Sequence, residues 1–102
     1  MNIRTFSDTV PLMESNDYKE RFLAEYWQTR LRYEKLRRFN RKIEAAVRTK
    51  HSDPAVRVEM PKHDCPDILL IDQEETMLRY LNLLEQRAVI ERIDLDILPD
   101  KG

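Results

Sequence analysis

Between Asp17 and about Thr49 the chain contains neither Gly nor Pro, and Phe22, Tyr26, Thr29, Tyr33, Leu36, Asn40, Ile43 and Val47 recur at alternating steps of four and three. Such spacing puts all eight side chains along one narrow seam of an α-helix, the pattern of a coiled coil rather than of a broad globular face. Asn16 or Asp17 stands where a side chain can accept the orphan N–H groups of a first turn. A helix over 17–50 has 34 residues at ~1.5 Å each, a rod of ~51 Å. A rod of that length buries its seam only against a partner of similar length.

The second helix is expected over 66–92. Pro66 suits a first helical position, where its missing N–H costs nothing, and Asp67 favours the positive end of the helix dipole. Leu70, Met77, Leu81, Leu84 and Ala88 form one stripe, and Leu69, Tyr80, Leu83 and Ile90 form a second about 100° around the cylinder. The fold class expected is therefore mainly α, one domain over 1–102: a long antiparallel two-helix hairpin, coiled-coil-like. Pairing with the first helix uses one stripe, and the other predicts a homo-oligomer with Leu69, Tyr80, Leu83 and Ile90 at the interface, because exposed apolar patches are costly in a soluble monomer.

Short β or extended segments are expected in the N-terminal extension 1–16, the loop 51–65 and the tail 93–102. Ile3 to Phe6, Ala55 to Met60 and Ile93 to Ile97 are the candidates, the last two alternating with period two. Any sheet built from them would be marginal, and extended arms are the equal alternative.

Charge is segregated. Arg30 to Lys50 carries nine basic residues against Glu34 and Glu44, and Asp64 to Asp100 carries ten acidic residues against Arg79, Arg87 and Arg92. An antiparallel hairpin lays the basic half of the first helix beside the acidic start of the second, which accounts for the asymmetry without a ligand. Surface ion pairs contribute only ~0–1 kcal/mol each, so they set register more than stability. Asn40 in the seam can do the same, trading stability for one alignment.

Within that pattern Arg30, Arg37, Arg41 and Arg48 share one face, with Tyr33 nearby. Planar guanidinium forks suit phosphate or carboxylate, so this row with Tyr33 is the candidate anion site, for a nucleotide ligand. Pairing with the second helix or another protomer is the alternative use. Asp67, Asp72, Glu74 and Glu75 form the candidate surface for a basic partner. His63, Asp64 and Cys65 lack the paired Cys or His spacing of a zinc site, and no metal or cofactor is expected. Cys65 is expected to cap or pack beneath the loop rather than to react.

Several classes are disfavoured. The net charge of −1 argues against whole-molecule attraction to nucleic acid or acidic membranes. No run approaches the ~18 apolar residues of a membrane span, and Met1 to Met13 does not read as a signal peptide. One cysteine excludes an internal disulfide and fits a reducing cytoplasm. There is no Gly-rich phosphate loop, nucleophile elbow or paired histidine motif, so the chain is not expected to be an enzyme. No helix–turn–helix pattern supports sequence-specific nucleic-acid binding.

The stretch Cys65-Pro66-x-x-Leu69-Leu70-x-x-Gln73-x-x-x-Met77-x-x-Tyr80-Leu81-x-x-Leu84-Glu85-x-Arg87-Ala88-x-Ile90-Glu91, with Tyr18-Lys19-Glu20-Arg21 at the first helix, resembles small helical-hairpin proteins of tailed bacteriophages and prophages. The chain departs from the shorter members in its N-terminal extension and in Ala55 to Met60. The resemblance implies a phage origin, and with the readings above the expectation is a non-enzymatic phage accessory protein in the bacterial host cytoplasm, with a second copy of itself and a host protein as partners. Antagonism of anti-phage defence by blocking a host effector is the leading expectation. The alternatives are an oligomeric sponge for an anionic nucleotide signal, through the arginine row, and a structural or regulatory virion-associated protein.

Overall fold

The computed structural model describes residues 5–96. A 3₁₀ turn at Phe6–Thr9 leads into the short helix α1 (Val10–Met13), followed by the long helices α2 (Tyr18–Arg48) and α3 (Asp67–Glu91). The radius of gyration is 17.5 Å, against about 13 Å for a compact chain of ~100 residues. The core is accordingly a strip along two rods.

Asp17 starts α2, its Oδ1 accepting from the Lys19 N–H at 2.9 Å. Asn40 meets the Leu70 carbonyl and Glu74, Tyr26 meets Glu85, and Glu25 accepts from the Tyr80 hydroxyl. Numbers rise along α2 as they fall along α3, so the two helices run antiparallel. Phe22, Tyr26, Asn40 and Ile43 of the seam are buried, and Thr29, Tyr33 and Leu36 are half-buried. Val47 departs from the pattern. It is exposed while Ala46, one position earlier, is buried, on the side of α2 where His63 of the connecting segment packs edge-on against Phe39.

Leu81, Leu84 and Ala88 of α3 are buried, with Leu70 and Met77 half-buried in the same stripe. Pro66 is the residue before the helix rather than its first position, so the carboxylate of Asp67 opens the first turn. At the other end Arg92 takes the left-handed conformation (φ 58°), and the Ile93 N–H donates to the Ala88 carbonyl at 2.8 Å. This is the geometry of a Schellman stop, with the buried Ile93 supplying its apolar contact.

Residues expected in short strands adopt none among those described. Phe6 begins the 3₁₀ turn, which with α1 docks on α2 through the buried Thr9 and Leu12. Gln28 Nε2 donates to Thr9 Oγ1 at 2.9 Å. Ala55 to Met60 begins in a turn, with the Val56 N–H on the Asp53 carbonyl, and the Val58 N–H donates to Thr49 Oγ1. A single extended segment with no neighbour has no ladder to join. Ile93 to Asp96 is an arm whose alternation places Ile93 and Leu95 against the core while Asp94 and Asp96 stay exposed. Ile3 and Ile97 lie outside the described residues.

The predicted pairing of charges across the hairpin is reduced to one bridge. Arg41 donates to Glu74 Oε2 at 2.8 Å, and the other ion pairs among the described residues join neighbours within one helix. Antiparallel packing brings the two charged halves alongside, but most of their side chains project away from the seam.

Candidate functional groove

The α2–α3 trough holds two cavities in line. The larger, about 620 Å³, is lined by Tyr26, Arg30, Tyr33, Glu34 and Arg37 from α2, and by Leu78, Leu81, Glu85, Ala88 and Val89 from α3. The arm Ile93 to Asp96 closes its end. The smaller, about 310 Å³, lies between Asn40, Ile43, Glu44, Val47 and Arg48 of α2 and Asp67 and Ile71 of α3. In α3 Glu74 falls between the residues lining the two cavities, and in α2 its partner Arg41 follows Asn40 at the start of the smaller one. Arg30, Arg37 and Tyr33 therefore meet in one groove, Arg48 faces the second cavity, and Arg41 is held by Glu74 and Glu44.

Arg30 is fixed from three sides. Its guanidinium lies over the Trp27 ring at 4.8 Å, its Nε donates to Glu34 at 3.2 Å and one terminal nitrogen donates to the Tyr26 hydroxyl at 3.3 Å. Trp27 is itself anchored, its indole N–H donating to the Leu95 carbonyl at 2.9 Å. Arg37 makes no ion pair among the described residues. Glu34, Glu85, Asp94 and Asp96 give the same groove four carboxylates. A ligand that satisfies this lining carries an anionic group for Arg37 and N–H or O–H donors for the carboxylates.

The floor is rigid. Tyr26 donates to Glu85 Oε2 at 2.8 Å, and burial followed by that bond raises its phenol from the usual 10 to about 12. The neutral phenol is favoured by folding, so its contribution is complete below pH 10 and is lost as pH rises towards 12. At ~1.4 kcal/mol per pKa unit the loss is at most about 3 kcal/mol. A Tyr26→Phe variant is expected to show a flatter alkaline limb in melting temperature between pH 9 and 12; the same slope in both proteins would contradict the assignment.

Glu74 belongs elsewhere than the surface assigned to it from sequence. It is 8% exposed and sits in the seam with Asn40 Nδ2 2.9 Å from its Oε1, while Asp67, Asp72 and Glu75 are exposed. Glu74 occupies the stripe position between Leu70 and Met77, and that spacing was the sequence signal for its burial. Leu69, Tyr80, Leu83 and Ile90 are all exposed on the flank of α3 away from the groove. Glu34 and Glu85 are groove residues that sequence reasoning missed, since neither stands out among so many carboxylates. Cys65 is an exposed thiol, with its carbonyl 2.7 Å from His63 Nδ1. Among the described residues no three His, Cys, Asp or Glu side chains cluster as a metal site would require, and no helix is long and apolar enough to cross a membrane.

No curated protein and no solved structure matches the chain. A family model does match, over residues 16–90, which takes in α2, the connecting segment and nearly all of α3 but neither the docked N-terminal turn nor the arm at 93–96. With close to three-quarters of the 102 residues inside that match, the chain belongs to the Sequestin family.

Proposed function

We propose that the chain is a non-enzymatic binding protein that sequesters an anionic nucleotide signal in the groove between α2 and α3. The observation that carries this reading is the meeting of Arg30, Tyr33 and Arg37 in a groove of about 620 Å³, with Arg37 outside any ion pair among the described residues. That volume lies within the ~300–1,000 Å³ of small-molecule sites. Tyr33 offers a ring, the guanidinium groups suit phosphate, and the carboxylates suit the N–H donors of a base or the hydroxyls of a ribose. The family name, which denotes sequestration, points the same way. The resemblance to phage proteins makes antagonism of host defence the setting, and the bacterial cytoplasm the place. Blocking of a host effector, the first expectation from sequence, has less support, since its four-residue acidic surface loses Glu74 to the interior. A virion-associated role has no observation in its favour.

The test is a thermal-shift screen of the purified chain against nucleoside mono- and triphosphates and cyclic mono- and dinucleotides. A ligand at a hundred times its Kd adds ~2.7 kcal/mol of stability, which for a domain of this size is a rise of roughly 10–20 °C. Arg37→Glu is expected to weaken the responding ligand at least tenfold while leaving the ligand-free melting temperature within 2 °C or so, as an exposed surface change should. A screen with no shift, or a shift that survives Arg37→Glu, would overturn the reading.

A further inference from the structure

A third concavity lies on the opposite side of α2 from the groove. It measures about 660 Å³, and Arg32, Lys35, Arg38 and Lys42 line it together with Phe6 and Phe39. At ~100° per residue these positions fall roughly half a turn around α2 from Arg30, Tyr33 and Arg37. The two sites differ sharply in charge. The groove sets two arginines against four carboxylates, whereas this face has four cations and no carboxylate in its lining. None of the four makes an ion pair among the described residues, so the hairpin leaves their charge unanswered. Phe6, brought here by the docked N-terminal turn, is 43% exposed and lies under the Arg32 guanidinium at 5.4 Å.

We infer that this face binds single-stranded nucleic acid without sequence preference. Cations in a row with aromatic rings among them are the two parts such binding needs, one following the phosphates and the other stacking a base. Arg32 to Lys42 spans ten residues, about 15 Å of helix, so successive phosphates can each meet a cation. A second copy of the chain fits less well. Its exposed Asp72 and Glu75 lie on the far side of α3 from α2, so joining them to this face is head-to-tail and does not close as a two-fold pair. A membrane surface fits less well too, because an interfacial helix needs a broad apolar face and Phe6 is the one exposed large apolar side chain in this lining. The inference is independent of the groove and of the ligand proposed for it.

The test is fluorescence anisotropy of a labelled dT 16-mer titrated with the full chain at 50 and 200 mM NaCl. Four neutralised phosphates on a single strand give a slope of log K against log salt near −2.8, so binding is expected to weaken roughly fiftyfold over that range. Arg38→Glu with Lys42→Glu is expected to reduce affinity at least tenfold at 50 mM and to flatten the slope, with the circular-dichroism melting curve unchanged. Phe6→Ala removes a stacking surface worth ~1–3 kcal/mol, a fivefold or greater loss, and Arg37→Glu leaves oligonucleotide binding unchanged. The proposal is overturned by no binding at 50 mM, by a salt slope that survives the double charge reversal, or by poly-glutamate displacing the probe as well as unlabelled dT does.

Discussion

Replacing Glu74 with Ala is expected to lower the unfolding free energy by about 3 kcal/mol in chemical denaturation. Its carboxylate answers two groups at once, Asn40 Nδ2 at 2.9 Å and the Arg41 guanidinium at 2.8 Å. Removing it deprives a side chain that is 2% exposed of an acceptor. Asn40 keeps its bond to the Leu70 carbonyl, but its Oδ1 already has no partner among the described residues. Breaking a buried charged pair by deleting one member costs ~3–5 kcal/mol. Arg41 is half-exposed and retains Glu44, which puts the effect at the low end of that range. Replacing both Asn40 and Glu74 with Leu is expected to return most of the loss, since two apolar groups at facing seam positions need no partners. The two substitutions share one network and will not add. A loss below 1 kcal/mol for Glu74→Ala would mean that its removal does not leave Asn40 and Arg41 short of a partner.

Leu84→Ala should be comparably damaging, at ~2–5 kcal/mol, while its neighbour Leu83→Ala should cost less than ~0.5 kcal/mol in dilute solution. Leu84 is 1% exposed and Leu83 55%. The first leaves a cavity between the rods and the second removes a side chain already in contact with water. If a second copy covers Leu69, Tyr80, Leu83 and Ile90, as we propose for the oligomer, the Leu83→Ala loss will grow with protein concentration. Equal losses at micromolar and millimolar concentration would remove that stripe from the interface.

The hairpin was legible because its signal is periodic and local. A seam of steps four and three reports which side of a helix is apolar whatever lies opposite, so Phe22, Tyr26 and Ile43 were identified as core and are buried. The same rule, applied to apolar residues alone, passed over Glu74. Charge made it read as surface, and its partner Asn40 is thirty-four positions away. The strand at Ala55 to Met60 failed for the complementary reason. Alternation shows that a segment can lie extended, but a strand exists only where a second one offers its N–H and C=O groups.

The arginine row divides along the same line. Its steps of seven and four put Arg30, Arg37, Arg41 and Arg48 on one helix face, and that much follows from the helix period. Which of them can meet a ligand depends on what α3 sets opposite each. Glu74 holds Arg41, the arm after α3 closes one end of the groove around Arg30 and Arg37, and Arg48 faces a separate cavity. From sequence alone came two long helices and the segregation of charge, because each is a property of the chain within a few turns. The groove, the buried Asn40–Glu74–Arg41 network and the basic face beneath Phe6 came only with the tertiary structure, because each joins side chains that the chain order keeps far apart.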